Sequence, residues 1–358
     1  MSVPVLLRRF MLGATAAAVS LCVVSTPAQA QDGGPKVTVM TRNLFLGGNL
    51  TPSIGAPTLP ALMTANAALL SNVDRVNFPE RAKLLAKEIV EDKPDLVGLQ
   101  EVALWRTGAL GDPAEATTVR YDYLELLMAE LAKSGHPYEI AVVQNEANLE
   151  APTGAPYYVD ARLTMRDAIL VRAGGKVEIT DTSSGNFVNN LAFPLPSTGT
   201  TMTSTRGWTA ADVRQGDRSY RFINTHLEAF HYEIRILQAR ELLAGAIASA
   251  GGDVILVGDM NTGPELPVAD NRLAYFTLVG GGMVDTWPIL HPGEPGSTAG
   301  FGDELNQPAD SVEHRIDLIM FKGNVTPEKS WTFGSERQTS DGRWASDHLG
   351  HAAELRLN

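Results

Sequence analysis

The chain has 358 residues, and its 41 acidic and 29 basic side chains give a net charge of −12 at neutral pH. A protein that binds nucleic acid mainly through the phosphates carries a basic surface, so we expect no stable nucleic-acid complex. Cys22, within the first thirty residues, is the only cysteine. Disulfides, a thiolate nucleophile and a cysteine-ligated metal are therefore excluded for the rest of the chain.

The first thirty residues predict a signal peptide. Arg8 and Arg9 precede an apolar run, and the AQA of residues 28–30 has the pattern of a cleavage site. The paired arginines leave Sec and twin-arginine export both open. Cleavage would remove two basic residues and no acidic one, leaving 27 basic against 41 acidic side chains and a net charge of −14. We expect a secreted or periplasmic protein in which residues 31–358 form a single catalytic domain, because no internal repeat or clear linker interrupts them.

Beyond residue 30, short apolar strands alternate with amphipathic helices. The pattern predicts strands at 36–40, 95–99, 139–143, 168–171, 220–224, 253–257, 316–320 and 352–357. It predicts helices at 79–91, 122–133 and 232–249. Residues 45–79 have no clear pattern, and we expect long loops that shape a binding face at 145–163, 183–205 and 262–312. Strands separated by helices indicate a layered α/β architecture.

Polar residues follow several of the predicted strands. Asp259 and Asn261 lie in a GDMN turn directly after a buried strand. A carboxylate there suits a hard cation, and an amide can bind a phosphate oxygen or the attacking water. Asn43 and Glu101 also follow strands. Taken singly, each of these residues is equally typical of a turn or an exposed strand end.

Two histidines have the same kind of position. His226 ends a strand, and His348 lies beside Asp347 shortly before the last strand. Asp317, at the edge of another strand, could orient a histidine. A single histidine at a strand end is nevertheless more often structural, and adjacent Asp and His residues are common in polar turns.

Three further residues are candidates for binding substrate. Arg166 and Asp167 precede an apolar AIL run, and Arg206 precedes Gly-Trp. Guanidinium groups bind phosphate bidentately, and Asp167 could contact a metal or the substrate. A surface ion pair explains Arg166 and Asp167 equally well, and an exposed arginine beside a buried tryptophan explains Arg206.

The set of motifs is more specific than any member. In chain order they are TRNL at 41–44, LVGLQEV at 96–102, NTHLEA at 224–229, VGDMN at 257–261, RIDLI at 315–319 and SDH at 346–348. This set resembles the endonuclease/exonuclease/phosphatase superfamily with the DNase I-like fold, in a secreted bacterial-type form. The resemblance implies a four-layer α/β/β/α sandwich, in which two packed mixed β-sheets are flanked by helices and the active cleft lies at one end.

The resemblance also implies a metal site. Glu101 matches the family's principal Mg²⁺ ligand, with Mn²⁺ as a possible substitute. Asn43 and Asp347 match positions near the metal or its waters. Mg²⁺ keeps several waters, so one to three such ligands are enough.

Catalytic roles follow from the same resemblance. Asp259 and Asn261 match the pair that holds the nucleophilic water and the scissile phosphate. His348 matches the catalytic histidine, Asp317 the carboxylate hydrogen-bonded to it, and His226 the histidine that steadies the phosphate.

The resulting hypothesis is a secreted Mg²⁺-dependent phosphoesterase that cleaves a phosphate mono- or diester with metal-activated water. Its substrate class stays open among nucleic acid, phospholipid and small phosphoesters, so a membrane lipid is possible, and we infer no protein partner. The alternative is a catalytically inactive binding module of the same fold. Such a module should have lost some of these acids and histidines, whereas every expected position carries the expected residue type.

Overall fold

Two mixed β-sheets packed face to face are the centre of the computed structural model, which describes residues 33–358. The predicted signal peptide with its paired arginines lies outside the described residues. Residues 34–358 form one compact unit. Among the described residues, no helix is long and apolar enough to cross a membrane.

The strands are β1 (Lys36–Asn43), β2 (Leu96–Gln100), β3 (Leu104–Ala109), β4 (Thr118–Asp122), β5 (Tyr138–Pro152), β6 (Val159–Arg172), β7 (Glu178–Asn186), β8 (Leu191–Leu195), β9 (Thr200–Ser204), β10 (Gly207–Gln215), β11 (Arg218–His226), β12 (Asp253–Asp259), β13 (Val284–Asp285), β14 (Asp317–Lys322), β15 (Val325–Phe333) and β16 (Gly350–Leu357). The α-helices are α1 (Thr51–Ile54), α2 (Leu59–Arg75), α3 (Phe78–Asp92), α4 (Tyr123–Lys133), α5 (Tyr232–Leu242), α6 (Leu273–Gly280) and α7 (Trp287–Leu290).

Sheet I has eight strands, in the order β15-β16-β1-β2-β6-β3-β4, with β5 paired to β6. Sheet II has six, in the order β13-β14-β12-β11-β10-β7. Each sheet is mixed: β1 is parallel to β2, β11 is parallel to β12, and the other pairs in both sheets are antiparallel. Strands β8 and β9 form a separate hairpin.

The period-two alternation of the strands builds the four layers. On β12, Ile255 and Val257 pack between the sheets, whereas Val254 and Leu256 pack on the opposite face with residues of α5 and α6. Sheet I does the same, because its outward side chains share a core with α2, α3 and α4. The predicted α/β/β/α sandwich is therefore confirmed.

Residues 45–79, to which the sequence pattern assigns no element, contain α2, whose N-terminus is capped by the Thr58 hydroxyl accepting from the Ala61 N–H. The buried polar residues Asn66 and Asn72 interrupt its apolar stripe, which obscures the helical period. The helix predicted at 232–249 is α-helical only to Leu242 and continues as a π-helical turn over Leu243–Ile247.

The predictions of loops at 145–163 and 183–205 were wrong, because most of both segments forms β-strands. Strands β5 and β6 continue their antiparallel pairing as far as Pro152 and Asp160, and the hairpin β8–β9 occupies most of the second segment. Their many polar residues hide the alternation on which a sequence-based prediction depends. The expected loop at 262–312 is mostly irregular, with only short elements such as α6 and α7.

A polar contact joins the two sheets near the ends of β2 and β11. Gln100 donates from Nε2 to Asn224 Oδ1 over 2.5 Å, and Asn224 Nδ2 donates to the Leu99 carbonyl over 3.0 Å. Gly98 makes this approach possible, because a Cβ there would lie 2.6 Å from Asn224 Oδ1 and 2.5 Å from Val257 Cγ2. The absence of a side chain thus sets the sheet separation at this end.

We expect Gly98→Ala to lower the free energy of unfolding by about 1–3 kcal/mol, since an overpacked core must shift to admit the methyl group. Urea unfolding measures this. Gly245→Ala is the matched control, because no atom lies within 4 Å of a Cβ at that helical position. The control should be unchanged or slightly stabilised. Equal stability of Gly98→Ala and the wild type would contradict the close approach.

Candidate active site

Three titratable side chains form a row across one end of sheet II. His226 is the register neighbour of Asp259 in the parallel pair β11–β12, and Asp259 is the register neighbour of Asp317 in the antiparallel pair β12–β14. Period-two alternation aims all three toward sheet I, since Phe222, Ile255 and Ile319 on the same strands pack between the sheets. The strand ends predicted from sequence therefore meet in space.

Sheet I contributes Asn43 and Glu101 to the same end. Asn43, the last residue of β1, donates from Nδ2 to Asp259 Oδ2 over 3.0 Å and so joins the two sheets. Glu101 follows β2 with a φ of +54°, in the left-handed region that few side chains adopt. Its Oε2 accepts the Leu46 N–H over 2.6 Å. Strain of this kind, about 1–3 kcal/mol, persists where the surroundings hold a residue in place.

His348 and Asp317 form a buried pair. The His348 Nδ1 lies 2.7 Å from Asp317 Oδ2, which also accepts the Thr298 hydroxyl over 2.6 Å. Burial opposes protonation of His348, but the charges of Asp317 and Asp347 outweigh it and raise the His348 pKa well above its usual value. With Nδ1–H donated to Asp317, Nε2 faces Asp259 Oδ2 and Asp347 Oδ1, at 3.9 Å from each.

His226 has the opposite electrostatic setting. Its Nδ1 lies 2.8 Å from a terminal guanidinium nitrogen of Arg206. Arginine is only a donor, so Nδ1 must accept and the proton of the neutral ring is on Nε2. Burial and the charge of Arg206 lower the His226 pKa well below its usual value. The Nε2–H points toward Asp259 Oδ2, 3.4 Å away.

The carboxylates of the site lie close enough together to disfavour their charged forms. Burial and the charge of Asp347 raise the pKa of Glu101 to about 7, and burial and the charge of Asp317 raise that of Asp259 to about 6. Burial also raises the pKa of Asp347, against the opposing charges of His348 and Arg81. A divalent cation would offset this repulsion, and carboxylate and amide oxygens are ligands that Mg²⁺ prefers. The donor set around Glu101 therefore fits the implied metal.

Glu146, on β5, is a site residue that the sequence analysis missed. It lies with Asp167 and His226 in a group whose ligand atoms are within 4.8 Å of one another. Both carboxylates are buried, and none of their four oxygens has a hydrogen-bond partner. Burial raises the Glu146 pKa to about 7 despite the opposing charge of Arg206, and burial and the charge of Glu146 raise the Asp167 pKa further. No motif marks Glu146, because it lies inside β5, in a segment whose sequence pattern predicts a loop.

Of the remaining candidates, Asn261 lies in the site and Arg166 does not. Asn261 donates from its side chain to the Leu227 carbonyl over 3.0 Å, and its N–H donates to Asp259 Oδ1 over 2.9 Å. Arg166 lies one residue from Asp167 and so faces away from the sheet interface. It donates to Asp122 and to the Val102 carbonyl, so the structure does not bring it into the cluster.

Two buried arginines hold the site loops together. Arg81 donates to the carbonyls of Leu44 and Ala345 over 2.7 and 2.8 Å, and so ties the loop after β1 to the SDH loop. Arg42 donates to the His348 carbonyl over 2.5 Å and pairs with Glu88 at 3.0 Å. These contacts position Asn43, Asp347 and His348 without touching the cleft side of their side chains.

Comparisons with known proteins identify the family and the fold. A protein-family sequence model, described as the Endonuclease/Exonuclease/phosphatase family, matches residues 63–348. A Bacteroides thetaiotaomicron protein described by that family name superposes with a TM-score of 0.57 and 17% identity, over 91% of this chain and 99% of its own. No curated protein sequence matches at a significant level.

Two other solved structures have the same fold and different described activities. D. rerio TDP2, in complex with a single-strand DNA product, has a TM-score of 0.53 and 19% identity, over 89% of this chain and 98% of its own. A B. thetaiotaomicron mannosyl-6-phosphatase has a TM-score of 0.55 and 17% identity, over 89% and 99% of the two chains. Identities this low show the shared fold and not a shared substrate.

We expect Asp317→Asn to lower kcat by up to about 10⁴-fold, the effect of losing tautomer control at a comparable Asp–His pair. The lost negative charge also lowers the His348 pKa, so the pH-rate limb that reports His348 should move to lower pH. A pH-rate profile of both proteins tests this. Asp181→Asn, at an exposed position of β7, is the control. A pH-rate profile of Asp317→Asn with no shift along the pH axis would contradict the pairing of His348 with Asp317.

Proposed function

The chain belongs to the endonuclease/exonuclease/phosphatase family of metal-dependent phosphoester hydrolases, and we propose that it is an exported Mg²⁺-dependent phosphoesterase that cleaves a phosphate mono- or diester. The observation that carries the proposal is the set of contacts linking Asn43, His226, Asp259, Asp317 and His348 at one end of the sandwich.

Glu101, Asp347 and Asn43 would hold the metal. The raised pKa values of Glu101 and Asp347 support this assignment, because a nearby dication favours the charged carboxylates. The bound metal would neutralise charge on the phosphate oxygens and lower the pKa of a water. Mn²⁺ is the expected substitute.

His348 would act as a general acid or base through Nε2. Its Nδ1–H is committed to Asp317, so Nε2 is the ring nitrogen directed at the cleft. Asp259 would orient the attacking water, because two hydrogen bonds fix its carboxylate in place. Its Oδ1 accepts the Asn261 N–H, and its Oδ2 accepts from Asn43 Nδ2. Asn261 stabilises the turn beside that carboxylate through its hydrogen bonds to Asp259 and to the Leu227 carbonyl.

His226 and Arg206 would bind the phosphate oxygens. The neutral His226 ring presents an Nε2–H donor, since burial and the charge of Arg206 lower its pKa well below the usual value. Arg206 supplies the positive charge and has a buried Nε without a partner. Together they would stabilise charge that grows in the transition state.

Export is supported by the sequence of residues 1–30 alone, and it places the enzyme where extracellular or periplasmic phosphoesters are available. The net negative charge favours a lipid or small phosphoester over a duplex nucleic acid. The alternative, an inactive binding module, would retain the fold without turnover.

We expect the purified 31–358 chain to hydrolyse at least one member of a panel with Mg²⁺ and to lose that activity in EDTA. The panel contains bis-p-nitrophenyl phosphate, p-nitrophenyl phosphate, plasmid DNA, RNA and sphingomyelin. His348→Ala should reduce kcat by at least about 10²-fold, since it removes the proton-exchanging group. His136→Ala, an exposed histidine in the turn after α4, is the control. No turnover with Mg²⁺ or Mn²⁺ would favour the inactive module.

We expect Glu101→Gln to weaken Mg²⁺ and Mn²⁺ binding roughly tenfold or more, because it replaces the charged ligand by a neutral amide. Isothermal titration of the metal-free protein measures this independently of activity. Glu125→Gln, at an exposed position of α4, should bind metal as the wild type does. Unchanged affinity in Glu101→Gln would place the metal elsewhere.

A further inference from the structure

A cavity of about 350 Å³ lies between α1, α2, the β5–β6 ribbon and the β8–β9 hairpin. This volume is within the range of small-molecule sites. Its walls are mainly aliphatic, and they include Leu50, Leu62, Leu69, Leu163 and Met202. None of the described residues that line it is a lysine, arginine or histidine. Because the lining includes the acidic Glu150 and no basic side chain, the cavity disfavours a phosphate and suits an uncharged, mainly apolar group.

One residue separates the cavity from the expected metal ligand. The N–H of Leu46 donates to Glu101 Oε2 over 2.6 Å, and the carbonyl of Leu46 accepts the Trp105 indole N–H over 2.8 Å. Trp105 lines the cavity. On the other wall, Asn148 lines the cavity two residues after Glu146, which belongs to the buried acidic group.

The β8–β9 hairpin lines the cavity and also packs on the segment that follows β11. Leu195 and Met202 of the hairpin line the cavity. Phe193, on the same hairpin, packs edge-to-face on Phe230 with ring centroids 5.5 Å apart. Phe230 follows His226 by four residues and is half exposed. The hairpin thus contacts both the cavity and the segment that follows His226 in the sequence.

A polar group inside the cavity points to a ligand. Ser53 is 8% exposed and lines the wall, and its hydroxyl has no hydrogen-bond partner. A buried hydroxyl without a partner is costly, and a ligand oxygen would satisfy it. Trp105 cannot offer its N–H, which is already donated to Leu46.

We propose that this cavity binds the aliphatic chain of the substrate, so that the preferred substrates are phosphoesters of alkyl- or acyl-bearing alcohols. The proposal rests on the phosphoesterase function proposed above. The phosphate would lie at Glu101, His226 and Asp259, and the chain would run past Leu46 into the aliphatic walls, with Ser53 available to an ester or hydroxyl oxygen.

Binding of n-alkylphosphonates from methyl to octyl, by isothermal titration with Mg²⁺ present and below micelle-forming concentrations, tests the subsite without turnover. Affinity should rise roughly threefold to fourfold per methylene until the chain fills the cavity. Met202→Asp should flatten this dependence by placing a charge in the wall. Ala161→Phe, which fills part of the cavity, should make affinity level off at a shorter chain. Thr203→Asp, an exposed neighbour on the same hairpin that does not line the cavity, should keep the wild-type dependence.

An affinity that does not change with chain length in the wild type would overturn the proposal, as would tighter binding of thymidine monophosphate than of octylphosphonate. The same conclusion would follow if Met202→Asp, shown to be folded by circular dichroism, kept the full chain-length dependence. Failure of the proposed function is a separate result, since it would appear as absent hydrolysis of the phosphoester panel while alkylphosphonate binding still depended on chain length.

Discussion

The hydrogen-bonded contact between the two sheets at Asn224 is the constraint on which the site depends. Asn224 accepts from Gln100 and donates to the Leu99 carbonyl, and the missing side chain of Gly98 lets the sheets approach there. The functional residues of each sheet lie at strand ends within two or three residues of this contact. A small change in sheet separation would therefore break the 3.0 Å bond between Asn43 and Asp259 that joins the two halves of the site.

The same end of the sandwich collects unfavourable electrostatics and backbone strain. Glu101, Asp259 and Glu146 all have raised pKa values, because burial and neighbouring carboxylates disfavour their charged forms. Phe45 and Asn261 join Glu101 in having positive φ. The cores above and below the sheets stabilise the fold enough to hold these groups in place. Charge crowding and backbone strain at one location are typical of functional sites.

The two histidines differ in pKa because their neighbours carry opposite charges. A carboxylate beside His348 raises its pKa, and a guanidinium beside His226 lowers its pKa. One ring is thereby suited to exchanging a proton and the other to donating a fixed hydrogen bond. The aliphatic cavity adds a third chemical environment, and Leu46 connects it to the proposed metal ligand, because Leu46 hydrogen-bonds both Glu101 and the cavity residue Trp105.

The sequence by itself determined the family and most of the polar strand ends, because short local motifs carry both. The alternation of strands and helices indicated a layered α/β architecture, and the resemblance carried by the motifs implied the four layers. The sequence did not reveal the β5–β6 ribbon, the β8–β9 hairpin or α2, where polar residues mask the periodicity. Only the tertiary structure decided that Glu146 joins the cluster, that Arg166 faces away from it and that Arg206 contacts His226. The physical reason is that these outcomes depend on strand register and on which face of a strand meets the other sheet, and contacts between residues far apart in sequence set both.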